Sequence, residues 1–426
     1  MNIWVIKEGE DLPIRNNCVL GRTGSLANYL SKNGHNVIWW ASTFCHGSKK
    51  YLCNKTRVTC VHENEKIIML HSRIFYRKNV SLLRIIYHEN LAKKFRELSV
   101  IEEKPDVILC SWPTQQFAKA CVEYGEKHNV PVVIDIRDMW PDYFLRVFPK
   151  WAKRIGKWML SPLRKDAQKT LAKADAIIGV IPSFVRWGVT LAEREVKEND
   201  RHIYIGRERI DEDYVITKGQ IERWGSLGIT SDKWILCLIG TLSKQGDYDT
   251  LISAAKKVAI NNKNFRLVIA GDGDERQKLE ELAEDCPSIV FPGWLNNEEV
   301  ISLLSLSSCG AFSYKNSDGF KDSISNKVVQ YYSAGLPVVS SLEGLSKELM
   351  SKYGMAVFYK EGNVEECFNA IDYLINNERE RNEMRSASLK LFEDYFDSDV
   401  VNAQFHKMLD DVIREHKCKQ KVRDDK

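Results

Sequence analysis

The sequence lacks any run of about 18 consecutive apolar residues, the least that a membrane-spanning helix needs. It also lacks the features of a secretory signal peptide, because its first residues hold one short apolar run that acidic residues soon follow. We therefore expect a cytoplasmic protein that meets a membrane only at its surface.

Repeats, low-complexity stretches and repeated Cys-x-x-Cys pairs are missing as well. The 11 cysteines are scattered and odd in number, which predicts free thiols in a reducing compartment. Lysine and arginine number 62 against 58 aspartates and glutamates, so the net charge is only +4. This small excess argues against a nucleic-acid partner, and any basic function must come from a local patch.

Short apolar runs alternate with amphipathic segments, a pattern typical of parallel α/β units. Two such series follow each other, and 426 residues exceed the roughly 250–300 that one core supports. The sequence thus predicts an α/β protein of two doubly wound domains facing a cleft. We expect a first domain over 1–210, a second over 211–395, a C-terminal helix over 396–416 that returns to the first domain, and a polar tail over 417–426. The polar stretch Ile210–Ser231 predicts a connection poor in regular structure.

No Gly-x-Gly-x-x-Gly fingerprint follows the first strand of either half. Gly271 begins a similar pattern, but Arg276 stands where the third glycine is needed, which argues against a dinucleotide-dependent dehydrogenase. Asp272 and Asp274 match an Asp-x-Asp metal pattern. They suit a turn before a helix better, so we expect no metal there.

Two segments of the second half have the features of a phosphate site. Gly240–Gly246 joins a strand to a helix, and its glycines permit close backbone approach while Lys244 adds a cation. A glycine-rich surface turn is the alternative. In Gly319–Val339 a polar loop leads into a helix near Ser325, and Lys327 lies in its first turn. There its charge opposes the helix dipole unless an anion binds or the side chain reaches water.

The segments GTLSKQGDYDTLISA, LVIAGDGDERQKLEEL, VFPGWLNNEEVISLL and SNKVVQYYSAGLPVV, in this order, resemble the donor domain of family-4 retaining glycosyltransferases of the GT-B fold. In the first half, GRTGSLANYLSKNGHNVIWWAS resembles the opening loop, helix and strand of that family. VIDIRDMWPD resembles a segment of its branch that builds bacterial surface polysaccharides such as O-antigen and capsule. The resemblance covers roughly residues 1–415.

The resemblance implies a nucleotide-sugar donor in the second domain. Lys244 and Lys327 would contact its diphosphate, and Thr241 stands where many members carry an arginine. The family's two glutamates for sugar and ribose correspond to Asp322 and Gln330, so both positions depart from the pattern. Further donor contacts are expected from Gly240, Gly246, Gly271 and Asn326.

On the acceptor side, the resemblance implies contacts from Arg22 and from Arg137, which stands in place of a common histidine and is followed by Asp138. The implied reaction transfers a sugar, with retention, to a lipid-linked glycan acceptor. We expect no metal and no other cofactor, because lysines and helix N-termini can neutralise the leaving diphosphate.

Residues 150–173 hold eight lysines and arginines and one acid. Trp151, Ile155, Trp158 and Met159 recur in it at helical spacing. A cationic amphipathic helix with tryptophans predicts contact with an anionic surface, here the inner face of the plasma membrane. The alternative is that the tryptophans pack on their own domain. The residues expected at the membrane are Lys150, Trp151, Lys153, Arg154, Lys157 and Trp158.

These patterns together favour a glycosyltransferase of surface-polysaccharide biosynthesis. Two alternatives stay open. A nucleotide-sugar epimerase on the same double fold would need no acceptor and no membrane surface, which the basic helix argues against. A non-catalytic subunit that binds a nucleotide sugar is favoured by the departures at Asp322 and Gln330.

Overall fold

Two units, each built on a mostly parallel β-sheet, make up the chain. Unit 1 comprises Met1–Ile205 and Val401–Lys426, and unit 2 comprises Gly206–Val400. The computed structural model describes residues 1–14, 20–79, 81–146, 148–211, 214–317 and 321–424.

The strands of unit 1 alternate with helices along most of its length. They are β1 (Asn2–Ile6), β2 (Asn36–Ser42), β3 (Phe44–Cys45), β4 (Lys50–Tyr51), β5 (Arg57–His62), β6 (Glu65–Leu70), β7 (Val107–Trp112), β8 (Val132–Ile136) and β9 (Ala176–Gly179). Seven of them form one sheet in the order β5-β6-β2-β1-β7-β8-β9, in which the edge pair β5–β6 is antiparallel. The short strands β3 and β4 pair separately.

Helices cover both faces of this sheet, so the central strands are apolar on both sides. The first five are α1 (Arg22–Lys32), α2 (Leu82–Leu98), α3 (Gln115–His128), α4 (Lys153–Ala172) and α5 (Pro182–Leu191). Trp4 of β1 packs with Phe95 of α2 on one face, whereas Ile3 packs with Leu26 of α1 on the other. Unit 1 is therefore doubly wound.

Unit 2 repeats this construction with a parallel sheet. Its strands are β10 (Trp234–Ile239), β11 (Phe265–Ala270), β12 (Ile289–Gly293), β13 (Cys309–Phe312), β14 (Val338–Ser340) and β15 (Ala356–Phe358), in the order β12-β11-β10-β13-β14-β15. Its helices are α6 (Lys218–Ser226), α7 (Tyr248–Asn261), α8 (Arg276–Ala283), α9 (Asn297–Leu306), α10 (Asn326–Ser333), α11 (Leu345–Tyr353), α12 (Val364–Asn376) and α13 (Glu378–Tyr395).

The connection expected over Ile210–Ser231 holds a helix, so that expectation is wrong. Helix α6 begins at a capping box, in which the Thr217 hydroxyl accepts from the Gln220 backbone and the Gln220 side chain accepts from the Thr217 backbone. Such a box satisfies two backbone donors at the helix start. The Trp224 indole then anchors the helix by donating to Ser302 Oγ at 2.9 Å.

The last helix, α14 (Ser398–Asp424), runs eight residues beyond position 416, where the sequence predicts its end. Its buried side chains Val401, Phe405, Met408 and Val412 join the core of unit 1 beside Ile3 and Val5 of β1. Glu415 also accepts from Asn199 Nδ2 at 2.8 Å. The helix therefore completes the side of unit 1 that α1 covers.

Candidate active site

Three glycines in unit 2 bring the carboxyl ends of β10 and β11 into backbone contact. Gly240 and Gly271 have φ of +127° and +148°, values that side chains rarely adopt. A Cβ atom on Gly271 would collide with the Gly240 carbonyl, and one on Gly273 with the Leu242 carbonyl. We call Gly240, Gly271 and Gly273 the glycine bay, since their bare backbone lines the sheet edge where a ligand meets the strand ends.

Lys327 lies over this bay. A Cβ atom on Gly240 would collide with the end of the Lys327 side chain, so the lysine stem occupies the space that the glycine leaves. Lys327 Nζ donates to the Tyr314 hydroxyl at 2.6 Å. Among the residues that the structure describes, Lys327 forms no ion pair with a carboxylate. Burial lowers the pKa of Lys327, as expected for a half-buried cation whose charge is not neutralised nearby.

The position of Lys327 is fixed by the start of α10 and by one tyrosine. The Ser325 hydroxyl caps the helix by accepting from the Lys327 backbone N–H at 3.2 Å. One turn later, the Tyr331 hydroxyl accepts from Ile239 N and donates to Ala311 O, both at 3.1 Å. Ile239 belongs to β10 and Ala311 to β13, and these two strands are neighbours in the sheet. Tyr331 therefore holds α10 against their ends. The lysine and the free backbone donors of a helix start therefore meet at one place, an arrangement that suits an anion.

The structure places the other donor residues named from the sequence around the same helix start and loop. Asn326 is exposed at the first position of α10, Gln330 is half-buried one turn later, and Asp322 is exposed before the helix. Lys244 and Thr241 are exposed on the loop after β10. That loop is tied to the end of β13, where Gly246 bridges to Tyr314 and Lys315 N donates to Gln245 O at 2.9 Å. Gly319, with which the quoted segment begins, lies outside the described residues.

The Asp-x-Asp pattern lies in a turn. Asp272 is exposed, and its Oδ1 accepts from the Gly273 backbone at 2.8 Å. Asp274 is exposed as well. Within the described ranges, no three histidine, cysteine, aspartate or glutamate side chains lie in a group that could hold a metal ion. The expectation of a metal-independent site stays a prediction.

In unit 1, Arg22 and Arg137 lie in a buried ionic network. Arg22 Nε and Nη2 donate to the Asp135 carboxylate at 3.1 and 3.2 Å, and Arg22 Nη1 donates to Tyr204 O. Arg137 donates to Asp135, Glu10 and Thr23 at 2.8–2.9 Å. Burial alone would raise the pKa of Asp135, but the two guanidinium groups outweigh it and lower that pKa to about 2. The network stays ionised, and it holds the loops after β1 and β8 together.

Asp138 follows this network and orients the next aromatic residue. Its Oδ1 accepts from Met139 N at 2.8 Å, and its Oδ2 accepts from Trp140 Nε1 at 3.1 Å. Glu8 and Glu10, which were not predicted from the sequence, follow the end of β1 at the same edge of the sheet. The signal for them was the acidic run directly after β1, at the edge where parallel sheets bind ligands.

Large apolar residues are exposed in the short 3-10 turn at Trp151 and in the first turns of α4, which follows it. Trp151, Trp158, Ile155 and Met159 are 80%, 77%, 54% and 58% exposed, so the two tryptophans do not pack on their own unit. Lys153, Arg154 and Lys157 around them are exposed. Gly156, on the opposite face, packs against the Phe148 ring. The side chain of Lys150 lies outside the part of the chain that the structure describes. No helix in the described part of the chain combines the length and the apolar character needed to cross a membrane.

Solved structures of the same architecture come from several bacteria. Sucrose-phosphate synthase of Thermosynechococcus elongatus superposes with a TM-score of 0.68 at 14% identity, over 97% of this chain and 99% of that one. HepE of Anabaena, in complex with UDP, gives 0.62 at 14% identity over 96% and 99%. The UDP-forming α,α-trehalose-phosphate synthase of Burkholderia vietnamiensis gives 0.64 at 12% identity over 96% and 100%. The predicted α/β fold class, GT-B with two Rossmann-like domains, is thereby confirmed.

Part of unit 2 is also similar in sequence to glycosyltransferases. Residues 222–391 match the family described as glycosyl transferases group 1. An uncharacterized glycosyltransferase of Methanocaldococcus jannaschii is 30% identical over 129 residues. That alignment covers 28% of this chain, and the chain spans less than a third of that relative, 30% of its length.

The fold is that of GT-B proteins, and the matched segment is similar to glycosyltransferases. Residues 222–391 carry a glycosyl transferases group 1 domain, which includes the glycine bay, Lys327 and Tyr331.

Proposed function

We propose that the protein transfers a sugar from a nucleotide-sugar donor to a lipid-linked glycan acceptor, with retention of the anomeric configuration, in surface-polysaccharide biosynthesis. In family terms, this is the family-4 retaining class and its O-antigen or capsule branch. The observation that carries the proposal is the position of Lys327, over a bay of bare backbone and at a helix start, without a carboxylate partner in the described chain.

The donor diphosphate fits this place by charge. Breaking the bond between sugar and phosphate builds negative charge on the leaving diphosphate, and donors already in position stabilise that charge most. Lys327 and the backbone N–H groups at the start of α10 are such donors, and Lys244 stands on the adjoining loop. Because HepE of Anabaena is described in complex with UDP and with UDP-glucose, UDP-sugars are the first donors to test.

No protein nucleophile is needed for this step. Since the leaving phosphate keeps an oxygen on the face of the sugar that it vacates, it can take the proton of the incoming acceptor hydroxyl. That sequence of events gives retention. The protein has to bind and orient the donor and the acceptor, and to neutralise the charge of the leaving diphosphate. Asp322 and Gln330, which replace two glutamates of the family, then bear on sugar and ribose recognition rather than on charge neutralisation.

The acceptor is proposed to lie on a membrane surface beside unit 1. Trp151 and Trp158 are exposed, and a tryptophan at an interface can bury its ring while its N–H stays hydrated. Each basic residue near an anionic bilayer gains on the order of 1 kcal/mol, less at high salt. Lys153, Arg154 and Lys157 together with the two rings therefore supply both parts of a reversible attachment to the inner face of the plasma membrane.

A second surface of unit 1 also combines exposed apolar residues with basic ones. Leu82, Leu83 and Ile86 near the start of α2 are 78%, 53% and 45% exposed. Exposed Arg77 and Lys78 precede them in the chain. Exposed apolar residues that are grouped together and lie beside basic ones support membrane contact, whereas singly scattered ones would not.

A donor screen tests the catalytic proposal. The purified chain is incubated with radiolabelled UDP-, GDP- and TDP-sugars, with and without lipid extract from a polysaccharide-producing bacterium. We expect transfer into the lipid fraction from one donor class, and slow hydrolysis of the same donor without lipid. Interconversion of the free nucleotide sugar would identify an epimerase instead, and binding without turnover would identify a non-catalytic subunit.

A further inference from the structure

The side chain of Tyr314 meets the amino group of Lys327 directly after β13. Its hydroxyl accepts from Lys327 Nζ at 2.6 Å, and the ammonium lies 5.2 Å from the centre of its ring. Tyr314 is buried, and its ring packs edge-on against Phe312 of β13, with 5.1 Å between the two ring centres. The ring therefore has little room to move, and it presents its hydroxyl to Lys327 at a fixed place.

The backbone of Tyr314 is anchored on two sides. Its N–H donates to Ser341 Oγ at 2.9 Å, and its carbonyl accepts from the same hydroxyl at 2.8 Å. It also bridges to Gly246, on the loop that follows β10. Tyr314 therefore joins that loop to the start of α10. The two lysines proposed for the diphosphate, Lys244 and Lys327, lie on these two segments.

The chemistry of this partner preserves the charge of the lysine. A carboxylate in its place would pair with the ammonium and compete with a phosphate for it, whereas an apolar side chain would leave a half-buried ammonium without an acceptor. A phenol accepts a hydrogen bond and brings no charge. Burial, followed by the neighbouring Tyr248, raises the pKa of Tyr314, so its hydroxyl stays protonated at neutral pH. An ammonium has three N–H donors, and the bond to Tyr314 leaves two for the oxygens of a diphosphate.

We propose that Tyr314 is a positioning residue of the transfer reaction, which holds the ammonium of Lys327 over the glycine bay before the donor arrives. It acts through the lysine rather than on the substrate. An ammonium that is already in place needs no reorganisation while charge builds up on the leaving diphosphate, and such a preorganised donor stabilises that charge most. The inference rests on the proposed function, since it concerns the lysine assigned there to the diphosphate.

The substitution Tyr314→Phe tests the inference, because it removes the hydroxyl and keeps the ring. With the nucleotide sugar that the wild type uses, we expect kcat to fall about tenfold or more, since the ammonium is no longer held in place. In a Lys327→Ala background the same substitution should change kcat by less than about twofold, because no ammonium is left to position. Tyr353→Phe removes a hydroxyl that donates to Asp394 elsewhere in unit 2, and it should leave kcat unchanged.

The pH dependence of kcat/KM is a second readout, which a purely structural role of the hydroxyl would not change. This ratio reports on groups of the free enzyme, so it should fall at alkaline pH as Lys327 loses its proton. A hydrogen bond to the ammonium favours the charged form, and its removal in Tyr314→Phe therefore lowers the pKa of Lys327. The alkaline limb should move to lower pH in this variant and stay in place in Tyr353→Phe. Both variants retain the titratable side chains Lys244, Tyr248, Lys315, Asp322 and Tyr331 on the surrounding elements.

Three results would overturn the inference: a folded Tyr314→Phe variant with wild-type kcat, an alkaline limb that does not move, or a loss of kcat that is as large in the Lys327→Ala background as in the wild type. The third result would mean that the hydroxyl acts on the fold or on the substrate and not through the lysine. All three leave the proposed sugar transfer intact. A wild type that turns over no nucleotide sugar refutes the proposed function instead, and the inference with it. Thermal unfolding of each variant shows that it is folded.

Discussion

Removing the amino group of Lys327 should slow sugar transfer strongly while leaving the fold intact. The ammonium is half-buried over Gly240, where water screens it less than a surface charge, and its hydrogen-bond partner Tyr314 is neutral. A charge-assisted donor to a leaving oxyanion is worth roughly 2–4 kcal/mol of barrier, a factor of about 10²–10³ in kcat. Lys327→Ala should therefore lower kcat by that factor with whichever nucleotide sugar the wild type uses.

The effect on stability should be much smaller, and this contrast is the test. Since burial lowers the pKa of Lys327 and no described carboxylate pairs with it, its loss leaves no buried charge without a partner. We expect the free energy of unfolding to change by less than about 1 kcal/mol. Release of labelled nucleoside diphosphate under multiple turnover at saturating donor measures kcat, and thermal unfolding measures the change in stability. Lys263→Ala removes an exposed lysine from the same unit and should change neither.

A second substitution reaches the same amino group without altering it. In Gly240→Ala the new methyl group would occupy the space of the Lys327 stem, at a φ of +127° that alanine rarely adopts. The ammonium must move, so kcat should fall at least about tenfold although the lysine remains. Wild-type kcat in a folded Lys327→Ala variant would refute the assignment of this lysine to the leaving diphosphate, whatever Gly240→Ala does.

Three further predictions follow from the other features. Transfer should survive excess EDTA, because lysines and helix donors supply the positive charge; loss of transfer that Mg²⁺ or Mn²⁺ restores would contradict this. Replacement of Lys153, Arg154 and Lys157 by glutamate should release the protein from anionic liposomes in a sedimentation assay and leave nucleotide binding unchanged; undiminished sedimentation, or a wild type that never sediments at low salt, would remove the membrane proposal. Burial raises the pKa of Glu65 to about 7, so the folded state should lose up to about 3 kcal/mol as pH rises from 4.5 through 7. Glu65→Gln should then raise Tm at pH 8 and have little effect at pH 4; a Tm gain that is equal at both pH values would contradict the role of this carboxyl group.

The sequence predicted best those elements whose residues carry their own signal. The run WILCLI of β10 is an uninterrupted apolar stretch, and the structure buries it inside a parallel sheet. Lys327 could be singled out because a lysine in the first turn of a helix conflicts with the local dipole, which needs no knowledge of distant residues.

Elements that depend on partners far along the chain were harder to predict. The edge strand β5 is largely exposed and mixes apolar with polar residues, so its spacing resembles a loop until β6 pairs with it. The contact of Arg137 with Glu10 joins residues 127 positions apart. The pairing of Glu8 with His88 is equally non-local. A single sequence gives the identities of such residues but does not show which of them meet, and the buried ionic network of unit 1 consists of such contacts.

The route of the chain through unit 1 has a consequence for its synthesis. The side of the sheet that carries Ile3, Val5 and Leu109 is covered in part by α14, which is translated after all of Gly206–Val400. At roughly 5–20 residues per second, about 10–40 seconds pass between the two parts. During that interval a nascent chain holds an apolar sheet face open beside a ribosome while unit 2 can already fold. We expect a ribosome-bound chain stalled before Val401 to recruit holdase chaperones through that face, and to release them once the last helix has emerged.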